Sequence, residues 1–368
     1  METTILKRHT AAVLCTAGFI LALAAFLLFP AAVRASTLAG ISYCLSVLAP
    51  SLFPFMALSA FAVNSPASQA LGRPLDGFVR RVFRLPGCCA LPILMSFIGG
   101  YPAGAKGASL LLEQGLITRR QASRMMLFCV NPGLAFVVTF LGLGVLGSTR
   151  LGWLLFLSVT LAGLLLGVLT ALGADVPEKS PAQPLRMGSG ALMRSVTDAA
   201  RSVLVMSACV VLFSVLTAVL HQSGAFQTAV RLLCRTKLFS PLEWAALLSF
   251  LIEVTGGVGD AAALSAPPVL YAFGLAFGGF CVHMQVLAFF PAPPVKISWF
   301  LLGRLAHGGL AALCFLTLNR LMGGAAIQTA APVAGGVQLF SGSILGGASL
   351  LLMCLAFLVI TQNGKAKE

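Results

Sequence analysis

The 368 residues are 58% hydrophobic and only 9% charged, with a mean hydropathy of +0.98. Soluble domains carry about 25% charged residues, so this composition excludes a soluble globular protein and points to an integral membrane chain. The formal charge of +14 then reads as cytoplasm-facing loops, because Lys and Arg sit between apolar runs. No basic patch interleaved with aromatics argues for nucleic acid.

Residues 1–9 carry Lys7 and Arg8 ahead of an apolar run from Ala11 to Val33. A secretory signal has an apolar core of roughly 7–15 residues, so this longer run reads as a retained first span with its N-terminus inside. It forms an N-terminal anchor over 1–35. Leu38 to Val63 is the second span, kinked by Pro50 and Pro54. A loop with Arg73, Arg80, Arg81 and Arg84 follows and reads as cytoplasmic. Pro86 to Ala108 is interrupted by Gly99, Gly100, Pro102 and Gly104, and Arg119, Arg120 and Arg124 lie beyond it. Basic flanks on both sides fit a re-entrant hairpin better than a single crossing. Gly115 can end a helix, and Thr118-Arg119-Arg120-Gln121 is a capping-box pattern that opens the next one. Ser123 to Leu146, broken at Asn131-Pro132-Gly133, and Leu151 to Leu172 are the third and fourth spans, joined at Gly147-Ser148. These complete a first unit, 36–173, followed by a polar cytoplasmic linker, 174–194.

The second unit, 195–325, repeats the plan. Ser195 to Leu220 is a span, and the next loop holds Arg231, Arg235 and Lys237. Pro241 to Ala266 is the second interrupted segment, broken around Gly256 and Gly257. Val269 to Phe290 and Ile297 to Leu318 are spans, separated by the turn Pro291-Ala292-Pro293-Pro294. Residues 326–368 supply an eighth span, Gly342 to Ile360, and a basic tail with Lys365 and Lys367 that keeps the C-terminus inside.

The repetition is visible residue by residue. Ser96-Phe97 returns as Ser249-Phe250, with Gly104 against Gly257 and Ala108 against Ala261. Phe128-Cys129-Val130 returns as Phe280-Cys281-Val282, one position out of that register. Gly100 then faces Glu253, Gly107 faces Asp260 and Asn131 faces His283. An odd number of crossings per copy turns the second copy upside down. The fold class expected is therefore an all-α polytopic membrane protein of about eight transmembrane helices, with two re-entrant, broken-helix segments in an inverted internal repeat. This topology leaves Arg231, Arg235 and Lys237 outside, against the positive-inside rule.

Gly costs a helix about 1 kcal/mol and interior Pro about 3, so the interrupted runs are broken helices. Open backbone at membrane depth is tolerated only where protein encloses it or water reaches it, which makes each break a candidate binding site. Glu253 lies deep in an apolar run, where acids are rare and face cavities; it reads as a proton- or cation-coupled group or as a cap on the broken helix. Asn131 offers an amide inside a span. His283 and Gln285 occupy the matching position in the second unit, one facing the cavity and the other bonding between helices. Tyr101 stands at the first break. Lys106 either neutralises an anionic ligand or snorkels. Asp260 closes Gly257-Val258-Gly259-Asp260, the GxGD string of intramembrane aspartyl proteases, yet the Tyr-Asp partner is missing and Asp198 is a faint substitute. It reads as a helix cap or a partner for a cation. The ten Cys are scattered without CxxC or zinc spacing and read as small buried hydrophobes. No phosphate loop, GxSxG or metal-ligand string occurs, so no enzyme, metal or cofactor is expected.

The strings Gly99-Gly100-Tyr101-Pro102-Ala103-Gly104-Ala105-Lys106, Glu113-Gln114-Gly115-Leu116-Ile117 and Asn131-Pro132-Gly133 resemble the YlbJ-type sporulation integral membrane proteins. So do Glu253-Val254-Thr255-Gly256-Gly257 and Val282-His283-Met284-Gln285. That group falls in the nucleoside-recognition, or Gate, superfamily, with the pore region of ferrous-iron transporters and part of concentrative nucleoside transporters. The resemblance implies two Gate-like repeats and a role in endospore formation, in the cell membrane of a Gram-positive bacterium. The expected function is a carrier or pore for a small polar solute, coupled to H+ or a cation. A structural or assembly factor of the spore membranes is the competing reading, and oligomeric state stays open.

Overall fold

The computed structural model describes residues 2–63, 67–177 and 190–322. The regular elements among them are all helical. In hydrocarbon a helix satisfies its own backbone, so apolar runs of this length fold no other way. Helix α1 (Glu2–Leu28) is followed by α2 (Pro30–Tyr43), a π-helical turn Cys44–Leu48 and α3 (Ala49–Val63). Next come α4 (Ala67–Val82), the 3-10 turn Gly87–Cys89, α5 (Ala90–Ile98), α6 (Tyr101–Glu113), α7 (Arg119–Phe128), a π-helical stretch Ala135–Val145 and α8 (Thr149–Ala171). After the linker come long α9 (Ala191–Gln222), short α10 (Ala225–Cys234), the broken pairs α11 (Pro241–Ile252) with α12 (Val254–Ala263) and α13 (Pro268–Phe277) with α14 (Gly279–Ala288), then closing helix α15 (Ile297–Leu321).

The two series interlock. α8 packs on α15, α2 and α3 on α9, α6 on α14, and α12 on the stretch Ala135–Val145. Phe83, Phe128, Leu155, Phe250 and Phe300 lie in one continuous core. Leu157, Leu161 and Leu165 keep an exposed stripe along α8, four residues apart, as a lipid-facing surface requires.

Among the described residues five helices are long and apolar enough to cross a membrane: Pro30–Leu48, Thr149–Ala171, Leu192–Gln222, Pro268–Ala288 and Ile297–Leu321. The pair Arg73–Val82 and Gly87–Ile98, bent by 102°, makes a sixth if read as one broken span. A crossing needs about 20 residues, and the breaks leave shorter helices among the described residues, such as the 12 residues of α11. The eighth span Gly342 to Ile360, the tail and most of the linker lie outside the described residues.

Other boundaries also move. The first two apolar runs part at Pro30, which opens α2, rather than beyond Val33; proline lacks an N–H and suits a first helical turn. The two basic loops are helices, α4 and α10. Phe226 is buried and Arg231 exposed on α10, the two-sided pattern of a helix at an interface. The capping box at Thr118 forms as the sequence indicates, and Ser240 with Glu243 builds a second one at α11. Gly115 leaves α6 with φ +69°.

Candidate functional site

The breaks approach one another in pairs. At Gly100 the backbone has φ +92°, and a Cβ there would lie 3.1 Å from the nitrogen of Gly133. A Cβ on Gly104 would collide with the carbonyl oxygen of Cys129. Small residues thus let α6 cross the end of α7 backbone to backbone. In the second unit the break is one residue, Glu253, in extended conformation between α11 and α12. A Cβ on Gly279 would lie 2.8 Å from the carbonyl of Phe250 and 3.3 Å from Cα of Glu253. The breaks at 99–100 with 129–133 and at 253 with 278–279 are therefore two crossings. Tyr101 joins them, donating its hydroxyl to the carbonyl of Leu275 at 2.8 Å.

The polar side chains cap these helix ends. Glu253, 6% exposed, accepts from the N–H of Thr255 at 2.8 Å and of Gly256 at 2.6 Å. Its carboxyl group sits at the positive end of α12. Thr255 in turn hydrogen-bonds Tyr43 at 3.3 Å. Asn131 donates through Nδ2 to the carbonyl of Phe128 at 2.7 Å and to Ser96 Oγ at 3.2 Å, while its buried Oδ1 has no partner. That oxygen faces α8: a Cβ on Gly163 would stand 3.0 Å from it and 3.3 Å from Nε2 of His307. His307 bonds the carbonyl of Val159 at 3.1 Å and leaves Nδ1 unpaired. His283 bonds the carbonyl of Phe277 at 2.8 Å, ringed by Phe277, Phe280 and Phe300.

Sequence reasoning passes over Arg304. It is fully buried in α15 and donates to the carbonyls of Phe277 (Nε, 3.1 Å) and Ala276 (Nη2) at the C-terminal end of α13. Its Nη1 has no partner. A lone cation inside an apolar span was the available signal. Ionisable groups thus close α12 and α13, Glu253 and Arg304. Gly100 stands at the start of α6, and the neutral Asn131 closes the end of α7.

Gly99, Gly100, Gly104 and Gly133 lie at the first crossing, with Asn131 beside it, and Glu253, Gly256 and Gly257 lie at the second, with Tyr101 reaching from the first to α13. The structure sets three expected residues apart. Lys106 lies over the ring of Phe289, 5.7 Å from its centroid. Gln285 turns back on its own helix, donating to Cys281 Sγ at 3.2 Å. Asp260 accepts from Ser249 Oγ and lines a different cavity. His283 and Gln285 are both buried. A large cleft of about 510 Å³ lies elsewhere, between α2 and α9, walled by residues such as Ile41, Phe53 and Leu204; with no charged lining it suits acyl chains rather than a polar solute. Among the described residues no group of three His, Cys, Asp or Glu could hold a metal.

Helices of this length and surface, with polar groups drawn to buried breaks, define a polytopic all-helical membrane protein. The chain is similar to the sporulation integral membrane protein YlbJ of Bacillus subtilis (strain 168), 27% identical over 315 residues, 76% of this chain and 76% of that protein. This similarity bears out the YlbJ-type resemblance seen in the glycine-rich strings. No family model and no solved structure matches the chain.

Proposed function

We propose that the protein is a carrier or pore of spore-forming membranes that passes a small polar solute where its broken helices cross. The observation that carries this reading is the joining of both crossings through Tyr101, with Asn131 Oδ1, His307 Nδ1 and Arg304 Nη1 buried and unpaired. A buried polar atom left without a partner costs about 1–3 kcal/mol, so such atoms favour a site that water or a solute enters. Recurrence of the element order supports an inverted repeat of Gate-like units, the plan of many secondary transporters. Sporulation and membrane insertion are what the printed name of the Bacillus relative says of that protein. Glu253 is the group through which H+ or a cation would couple, and the cell membrane, with both termini cytoplasmic, is the setting.

The test is uptake by the full chain in liposomes, using labelled nucleosides, amino acids and small organic ions. A solute taken up by the wild type, and about tenfold more slowly by Glu253→Gln, supports the reading. Undiminished uptake by the variant removes Glu253 from the mechanism. A second reading, a structural or assembly factor of spore membranes, is favoured by one observation: both oxygens of Glu253 already cap backbone N–H groups. Absence of uptake across the panel would return the case to it.

A further inference from the structure

A separate cavity of about 420 Å³ opens between the end of α9, α10 and the α11–α12 pair. Asp260, Ser249, Gln227 and Arg231 supply its polar lining, and Phe226 and Leu264 part of its apolar wall. His221, stacked on Phe226 with ring centroids 3.9 Å apart, closes one side. Ser249 is 2% exposed and its hydroxyl holds the Asp260 carboxylate. Arg231 donates through Nη2 to Thr228 Oγ1 at 3.0 Å. Among the described residues the ion pair is Arg80 with Asp76, so Asp260 and Arg231 share one cavity without pairing.

Small-molecule sites are clefts of about 300–1,000 Å³, mostly apolar, with a few placed polar groups. Here those groups include one carboxylate residue and one arginine that form no ion pair with each other, beside an apolar wall. The matching ligand has both charges and a short apolar body. We propose that this cavity binds a small zwitterion of the amino-acid class, its ammonium group on Asp260 and its carboxylate on Arg231. Gln227 lines the same cavity. Glu253, Tyr101 and Asn131 take no part, so failure here leaves the crossings untouched, and failure of the carrier reading leaves this site standing.

The experiment is equilibrium binding to the purified full chain in nanodiscs. The probes are two zwitterions of different charge separation, L-leucine and 4-aminobutyrate, each against analogues lacking one charge: isopentylamine and 4-methylpentanoate, butylamine and butyrate. At least one zwitterion is expected to bind about tenfold more tightly than both of its analogues. Asp260→Asn should erase its advantage over the carboxylate, and Arg231→Gln its advantage over the amine. Arg231 is exposed, and the amide oxygen introduced by Asp260→Asn still accepts from Ser249, so both variants should fold. An amine or a carboxylate that binds as tightly as its zwitterion, or no binding by either zwitterion, overturns the proposal.

Discussion

Inside hydrocarbon, a carboxylate at the start of α12 and a guanidinium at the end of α13 serve as caps. Removing the Glu253 carboxyl strands the N–H groups of Thr255 and Gly256. Glu253→Ala is expected to lose about 1–3 kcal/mol of stability, and Glu253→Gln, which keeps one acceptor, less. Thermal unfolding in detergent checks the order; equal losses would show that the carboxyl does not cap. Arg304→Met keeps volume but takes the guanidinium donor from the carbonyl of Ala276 and leaves that of Phe277 to His283 alone, so a drop of about 1–3 kcal/mol is expected by the same measurement. An unchanged midpoint would place the guanidinium elsewhere. Glu253 was legible because an acid in an apolar run next to two glycines has few uses. Arg304 was not, because a lone arginine in a span either snorkels or caps. What decides is a carbonyl 27 residues away in sequence.

At the scale of helices, space separates glycines that spacing alone cannot. Gly104 has no room for a Cβ against Cys129, whereas Gly259 has nothing within 4 Å. Gly104→Ala should therefore destabilise the fold, while Gly259→Ala should gain up to about 1 kcal/mol of helix propensity. Opposite shifts in unfolding temperature are the check, and shifts of one sign would contradict the crossing geometry. Thr118→Ala and Ser240→Ala should each cost about 1 kcal/mol through loss of a capping box. The box at Thr118 was readable from its four residues, and Ser240-Pro241-Leu242-Glu243 carries the same pattern. The matching triplets read from the sequence fall on unlike places. Phe128 ends α7, but Phe280 is the second residue of α14 and α13 ends at Phe277. The triplets therefore do not occupy equivalent places, because the breaks between paired helices differ in length. The basic runs around Arg73 and Arg231 look like loops in the sequence because their charges hide a helical period that packing makes plain.

For the whole molecule, composition fixed the solvent, while the count of crossings depended on where breaks fall, which only packing reveals. The central claim is that the crossings belong to a hydrated pathway. It is tested most directly by the rate at which a small, charged, membrane-impermeant methanethiosulfonate modifies Asn131→Cys and Gly256→Cys in intact membranes, above the wild-type background. A Cβ on Gly256 meets only the Glu253 carboxyl, at 3.4 Å, so that variant fits. Leu157→Cys, on the exposed outer stripe of α8, is the lipid-facing control. A hydrated pathway predicts modification of Asn131→Cys and Gly256→Cys at least about tenfold faster than Leu157→Cys, since thiols react as thiolates and need water. Crossing positions as inert as Leu157→Cys would contradict it.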